Sequence, residues 1–347
     1  MTLSMRAVVW HGRHDVRVEQ VAAPGPPGPG QVLVEVLRCG LCGSDRRSFE
    51  RSPSAQGPHP LTGHQGPVIL GHEVVGRIIA LGDAVPTGLQ VGQRVAVDPT
   101  WSCGRCPACR RGQPQLCEIA ACSGLSTNGG LALHLIAAAD GLAVVPEHVL
   151  DDEAAMAEPL AVAVHAVTRA ALQPADEVAI AGFGPIGALL ALTVQALGAR
   201  RVLIAEPSPD RRALASELGF VDVVDPGSAD EGGAGGWADA AFDCAGAPDV
   251  LEWCIRATRA GGRIVVPAVS SGSTPVPMNQ LVLQERTMMG SLGYNGDVAR
   301  AVSLIAAQAV DVRPLISTVL PLDEVPGWLG APPAGGAGLK VLVDPSA

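Results

Sequence analysis

The chain has 347 residues, 48% of them hydrophobic, enough to bury more than one core, and it is read as two domains. Aromatic residues make up only 3%, which leaves Val, Leu, Ile and Ala to fill those cores. The net charge is −10 and nearly all the positive charge is arginine, Lys340 being the single lysine; an acidic surface repels phosphate backbones and excludes a general nucleic-acid binder.

From the N terminus, "MTLSMRAVVWHGRHD" lacks the unbroken apolar stretch of a signal peptide. No later run is long and apolar enough to span a bilayer. "ALLALTVQALGA" (188–199) comes closest, but it is short and holds Thr193 and Gln195. A soluble, cytoplasmic protein is expected. The first half then reads as β-rich. "QVLVEVLRC" alternates Val32, Val34 and Val36 against Leu33, Glu35 and Leu37, and "EVVGRIIALG" and "QRVAVDPT" are further short strands. "APGPPGPG", "GSADEGGAGG" and "APPAGGAG" read as loops.

"CGRCPACRRGQPQLCEIAAC" gathers Cys103, Cys106, Cys109 and Cys117 at C-x2-C-x2-C-x7-C spacing. In a reducing compartment closely spaced cysteines hold metals more often than they form disulfides. Gly104, Pro107 and Gly112 supply the turns that let such a loop wrap one tetrahedral ion. Four sulfurs leave no open position, so the ion would be structural zinc, with an iron–sulfur cluster and a redox switch as rivals.

After residue 150 strands and helices alternate: "EVAIAG", "PIGALLALTVQALGA", "RVLIAE", "DRRALASELGF", then the strands "AFDCAG" and "GRIVVPAV". That alternation implies a parallel sheet flanked by helices. Gly182, Gly184 and Gly187 stand in G-x-G-x-x-G spacing between a strand and a helix that begins with Pro185 and Ile186. Gly182 permits the tight turn, Gly184 lets backbone approach a pyrophosphate, and Gly187 lets helix pack on sheet. The anion would sit on the unpaired N–H groups of the helix N-terminus. Glu206 closes the next strand, where a carboxylate accepts hydrogen bonds from a ribose and repels a 2′-phosphate, favouring NAD over NADP. Arg211 and Arg212 follow as a counter-signal, read first as solvated charges on the next helix.

"RCGLCGSDRR", "PVILGHEVVG" and "MAEPLAVAVHAV" together offer Cys42, His72, Glu73 and Glu158 as ligands for a second metal. A catalytic zinc needs three protein ligands and one open position, where a bound alcohol becomes a stronger acid and can pass hydride to a nicotinamide.

"CGLCGSD", "GHE", the four-cysteine lobe, "EPLAVAVHA", "GFGPIG" and the closing "KVLV" together resemble the zinc-dependent medium-chain alcohol dehydrogenase superfamily over essentially the whole chain. "PHPLTGHQGPVILGHE" and "EPLAVAVHAV" are most similar to its polyol and 2,3-butanediol dehydrogenase branch. The resemblance implies an α/β protein of two parts. A GroES-like, partly open β-barrel (1–157 and 294–347) would carry two zinc ions, and a Rossmann doubly wound parallel sheet (158–293) would bind NAD, with the active site in the cleft between them.

Residue by residue, Cys42 matches the catalytic zinc ligand, whereas Cys39 is read as a buried thiol. His72 matches the second ligand, and Glu158 falls where the branch carries its third. Glu73 is read as sitting behind the metal, with replacement of a ligand as the alternative. Ser44 matches the hydroxyl that takes the substrate proton, and Asp45 the carboxylate that orients His72, a turn-capping Asp being the rival. His165 is read as a core histidine.

Two positions depart from the pattern. Arg47 replaces the usual relay histidine and cannot accept a proton near neutral pH. "GGLALHL" replaces an aromatic-and-acid motif, with His134 read as surface. The resemblance implies reversible interconversion of a secondary alcohol (a small diol, polyol or larger hydroxyl-bearing metabolite) and a ketone with NAD(H). It also implies a homodimer or homotetramer with no nucleic-acid or membrane partner. The rivals are a reductase of C=N or conjugated C=C bonds on the same scaffold, and a non-catalytic NAD-binding sensor.

Overall fold

The computed structural model describes residues 4–51, 57–227, 235–270, 272–331 and 339–347. The expected loops "GSADEGGAGG" and "APPAGGAG" lie almost wholly outside the described residues.

Alternation decides the first layer. In Gln31–Gly40, Val32, Val34 and Val36 are buried while Leu33, Glu35 and Leu37 are half-buried, the period of a strand with one face on a core. This strand is the hub of a seven-stranded sheet. On one side it pairs antiparallel with Glu73–Leu81, which leads on to Arg94–Val97 and Leu142–Val144. On the other side its first half pairs with His134–Ala138 and its end with Lys340–Asp344, from the C terminus. A three-stranded sheet of Asp15–Ala22, Ser4–Gly12 and Val68–Ile69 adjoins it. Val8, Val34, Ile78, Val95 and Leu135 share the core so formed.

The second layer is parallel throughout. Numbered along the chain, its strands are Glu177–Ala181, Arg201–Ala205, Asp222–Val224, Ala238–Asp243, Thr258–Val266 and Thr287–Gly290. Their spatial order is 3-2-1-4-5-6, the doubly wound arrangement whose ligand crevice opens at the carboxyl ends of strands 1 and 4. The expected parallel sheet is therefore present, with the glycine-rich turn at that crevice.

Helix Ala157–Arg169 is the wedge between the layers. Its small residues Ala161, Ala163 and Ala166 are fully buried, and it packs on helices Pro185–Ala196 and Val298–Ala306. One apolar core runs from Val75 and Ala96 of the mixed sheet through Met156 and Leu160 to Phe183, Leu190 and Phe242 of the parallel one. Glu158 lies in the first turn of this wedge, where a carboxylate is favoured by the helix dipole.

Candidate active site

Cys42 caps the short helix Gly43–Phe49 with extended backbone, which turns the chain sharply after Gln31–Gly40 and leaves Ser44 and Asp45 in the first helical turn. The Asp45 carboxylate is fully buried. It accepts the Cys42 N–H at 2.9 Å and the Gly71 N–H at 3.4 Å, tying the cysteine segment to the histidine segment. Its Oδ1 lies 3.7 Å from His72 Nδ1, so the turn-capping role and the histidine-facing role coexist in one side chain. Ser44 Oγ stands 3.2 Å from the other ring nitrogen, Nε2.

Cys42, His72 and Glu73 present ligand atoms that all lie within 4.8 Å of one another. Glu158 is not part of that tight group, but it is buried beside it and its charge acts on His72. Burial pushes the Glu158 carboxyl up to about 7, helped by Glu73 and opposed by His72 and Tyr294. Burial alone would depress the His72 imidazole, yet Asp45, Cys42 and Glu158 outweigh it and hold its pKa well above the ordinary value. A pocket this rich in anionic donors around one imidazole is short of positive charge.

A Cβ on Gly40 would fall 1.9 Å from Glu73 Oε2, so glycine there lets that carboxylate lie against the strand without shifting. The donor set of thiolate, imidazole and carboxylate suits zinc.

The cysteine lobe is equally well drawn. The sulfurs of Cys103, Cys106, Cys109 and Cys117 lie within 4.8 Å of one another, with Cys106–Cys109 at 3.5 Å and Cys103–Cys109 at 4.0 Å. Tetrahedral Zn–S bonds imply sulfurs about 3.8 Å apart, whereas a disulfide requires about 2.05 Å. Among the described residues no disulfide joins these thiols, and their separations match the zinc spacing. Backbone N–H groups of Cys103, Cys106 and Cys109 point at Cys117, Cys103 and Cys106 sulfurs at 3.3–3.5 Å. Such bonds from Cys109 and Glu118 lower the Cys106 thiol to about 6, whereas burial pushes Cys117 up to about 11.

The glycine-rich turn opens onto a cavity of about 700 Å3, lined by Gly182, Gly184, Glu206, Arg211, Cys244 and Asp249 among others. Gly182 adopts φ +95°, and a Cβ on Gly187 would meet the Gly182 carbonyl at 2.0 Å. Gly184 caps helix Pro185–Ala196, in which Pro185 fills the first position without losing a needed donor and Ile186 follows. Glu206 accepts the N–H of Phe183 at 2.7 Å and of Ser208 at 2.9 Å, so each oxygen already holds one bond. The two arginines part company. Arg212 is tied to the Glu206 and Pro207 carbonyls at 2.8 Å, while Arg211 lines the cavity with Nη1 4.0 Å from Glu206.

Arg47 reaches across to the parallel layer and donates to the Val269 carbonyl at 3.1 Å. Cys39 is fully buried, and the buried His165 pairs through Nδ1 with Asp297 at 2.9 Å. His134 is half-buried at the start of its strand and lines a separate cavity with Trp101 and Asn128.

Two residues at the site carried no role in the sequence reading. Lys340 contacts both oxygens of Glu73, and the buried Tyr294 phenol is pushed well above its ordinary pKa by burial and by the charge of Glu158. They are the only lysine and the only tyrosine in the chain, and that rarity was their one signal.

Comparison with known proteins agrees with this geometry. Residues 28–147 match the family described as "Alcohol dehydrogenase GroES-like domain", and residues 185–307 match "Zinc-binding dehydrogenase". The chain is 32% identical to (R,R)-butanediol dehydrogenase of Bacillus subtilis strain 168, covering 99% of this chain and 100% of that one. It is 29% identical to sorbitol dehydrogenase of Bombyx mori, covering 97% of each. The crystal structure of 2R,3R-butanediol dehydrogenase from Bacillus subtilis superposes with a TM-score of 0.89 at 32% identity, over 99% and 100% of the two chains. An NADP-bound structure from Sinorhizobium meliloti 1021, described as a zinc-binding dehydrogenase, also gives 0.89 at 31% identity over 99% and 100%. The chain belongs to the zinc-dependent medium-chain alcohol dehydrogenase superfamily and is an NAD(P)-linked oxidoreductase of secondary alcohols and ketones.

Proposed function

We propose that the enzyme oxidises a small diol or polyol to the hydroxyketone and runs in reverse, using NAD(H) and two zinc ions per chain. The observation that carries this reading is the convergence of Cys42 and His72 on one point with two buried glutamates beside it. Cys42, His72 and Glu158 would hold the catalytic zinc, and Cys103, Cys106, Cys109 and Cys117 the structural one. Glu158 is favoured over Glu73 because both Glu73 oxygens are already bonded to Lys340. When bound, the zinc supplies Lewis acidity toward the substrate oxygen and the nicotinamide supplies the hydride acceptor.

The remaining work falls to the chain. Ser44 Oγ receives the substrate proton, and Asp45 holds His72 by its Nδ1 side. Arg47 cannot take the proton onward, so it leaves from Ser44 to water. The same arginine favours a second reading, a reductase of C=N or conjugated C=C bonds, in which no proton need leave by this route. NAD is favoured over NADP by the buried Glu206 carboxylate, with Arg211 at the cavity wall as the counter-argument.

A homodimer or homotetramer is supported by the outer edge strand Thr287–Gly290 and the exposed apolar side chains of Val282, Leu283 and Met288 near it. Among the described residues no helix is long and apolar enough to cross a membrane. Thiols grouped at metal-ligand spacing support a reducing, cytoplasmic setting. A spectrophotometric screen of diols, polyols and ketones against NAD(H) and NADP(H), with metal quantification, tests the proposal. Turnover of imines or enals with no alcohol oxidation at any pH would favour the reductase, and absence of zinc would remove the metal reading.

A further inference from the structure

Ser44 and Arg47 stand three residues apart on helix Gly43–Phe49, a spacing that puts them on one face with Cβ atoms about 5–6 Å apart. Ser44 Oγ lies 3.2 Å from Nε2 of the buried His72. Arg47 instead crosses to the opposite wall of the cleft, where its Nη1 donates to the Val269 carbonyl at 3.1 Å. Val269 follows the parallel strand Thr258–Val266, at the carboxyl end of the sheet where the crevice opens. The neighbouring Ala268 N–H is fixed to the Asp243 carbonyl at 3.3 Å, so the anchor belongs to the sheet.

That single bond leaves most of the guanidinium unused. Arg47 and Val269 are both exposed. Nε and Nη2 of Arg47, the edge that forks onto a carboxylate, have no partner among the described residues. A shortage of acids is not the reason, because the chain has 34 acidic against 24 basic side chains and the adjacent Arg46 pairs with Glu50 at 3.2 Å. Held at one corner by a backbone carbonyl, Arg47 keeps its charge uncancelled and its free edge oriented. Deeper in, the carboxylates of Asp45, Glu73 and Glu158 are buried and repel an anion. A molecule bearing a hydroxyl and a carboxylate is therefore drawn in hydroxyl first, with its charged end left at Arg47.

We propose that Arg47 is a specificity-determining residue, and that the substrate is a hydroxy acid whose carboxylate it takes on the Nε–Nη2 edge. The inference rests on the reading of Ser44 as the group that receives the proton of a secondary hydroxyl. The helix spacing then sets several carbon–carbon bonds between that hydroxyl and the carboxylate, which suits an aldonic acid and not a 2-hydroxy acid. Phosphates of the cofactor present the same oxyanion chemistry and are the competing source.

The test uses full-length, zinc-loaded enzyme with a panel of six-carbon aldonates, each paired with the neutral alditol of the same configuration. Wild-type kcat/KM is expected to favour the aldonate of a pair about 10–100-fold, and added salt should erode that preference while sparing the alditol. Arg47→Gln should bring the ratio to about one, and Arg47→Lys, which keeps the charge without the fork, should restore part of it. Titration of NADH fluorescence separates the two sources: a loss of NADH affinity in Arg47→Gln as large as the loss on aldonates assigns the arginine to the cofactor and overturns the proposal. A wild-type preference for alditols, insensitive to salt, overturns it without any variant. So does an aldonate-to-alditol ratio unchanged in Arg47→Gln. If neither member of any pair is oxidised, the alcohol reading fails first and takes the inference with it.

Discussion

Lys340 Nζ lies 2.6 and 2.8 Å from the two oxygens of Glu73 and 3.1 Å from the Leu41 carbonyl, so every proton of the ammonium has an acceptor. Both side chains are almost wholly buried. The pair fastens the C-terminal strand to the segments that carry Cys42 and His72, and it occupies the glutamate nearest the cysteine. Removing one partner of such a pair strands a buried charge. Lys340→Met is therefore expected to lose roughly 3–5 kcal/mol of stability, and Glu73→Gln in the same chain to recover most of it. Urea unfolding of the two single variants and the double variant measures the recovery. A double variant no more stable than Lys340→Met would show that the charge pairing is not what holds the strand.

Glu206 and Arg211 face the same cavity with opposite charges, 4.0 Å apart, and pull cofactor choice in opposite directions. Arg211→Ala removes the cation 4.0 Å from the Glu206 carboxylate, and is expected to lower kcat/KM with NADP(H) by about tenfold with little change for NAD(H). Glu206→Gln should act the other way by lifting repulsion of a 2′-phosphate. Steady-state kinetics with both cofactors decide it. Equal changes for the two cofactors would place both residues outside the ribose subsite.

Gly187 shows how little space the dinucleotide turn leaves. A Cβ there would meet the Gly182 carbonyl at 2.0 Å, backbone that cannot step aside without moving the turn. Gly187→Ala is expected to weaken cofactor binding by at least about tenfold while the two proposed zinc sites keep their metal. Nicotinamide fluorescence titration reads the first and metal quantification the second.

What could be read from sequence was what is local. The four lobe cysteines fall within one short loop, and the three glycines within one strand-to-helix turn, so spacing alone carried their geometry. The parallel layer announced itself through short apolar runs separated by helices, whereas the order 3-2-1-4-5-6 is not fixed by that alternation, which other doubly wound orders share. The contacts that complete the site are long-range. Lys340 meets Glu73 across 267 residues, and Arg47 meets Val269 across 222. A lone lysine in "KVLV" has no periodicity to exploit, and nothing in "GYNGD" says that its tyrosine will face Glu158. The proposed choice of Glu158 over Glu73 was open for the same reason, because it rests on which carboxylate the lysine reaches.

Asp98 supplies a pH dependence outside the ligand groups. It follows the strand Arg94–Val97, and its Oδ1 accepts the Thr100 N–H at 2.8 Å. Burial nevertheless pushes its carboxyl from 3.8 up to about 6, with Asp140 and Asp297 adding repulsion. A carboxyl that titrates higher in the folded chain than in the unfolded one holds its proton more tightly when folded. Its contribution to stability is therefore full below about pH 4 and is lost as the pH rises through 6. At pH 8 the ionised group costs the fold up to about 3 kcal/mol. Asp98→Asn keeps the acceptor for Thr100 and removes the charge. It is expected to stabilise the protein at pH 8 by about 1–3 kcal/mol, with the gain shrinking toward zero as the pH falls to 4. Urea unfolding of both proteins across that range measures the difference. A gain independent of pH would mean that the carboxyl titrates near its ordinary value and that repacking, not charge, separates the two proteins.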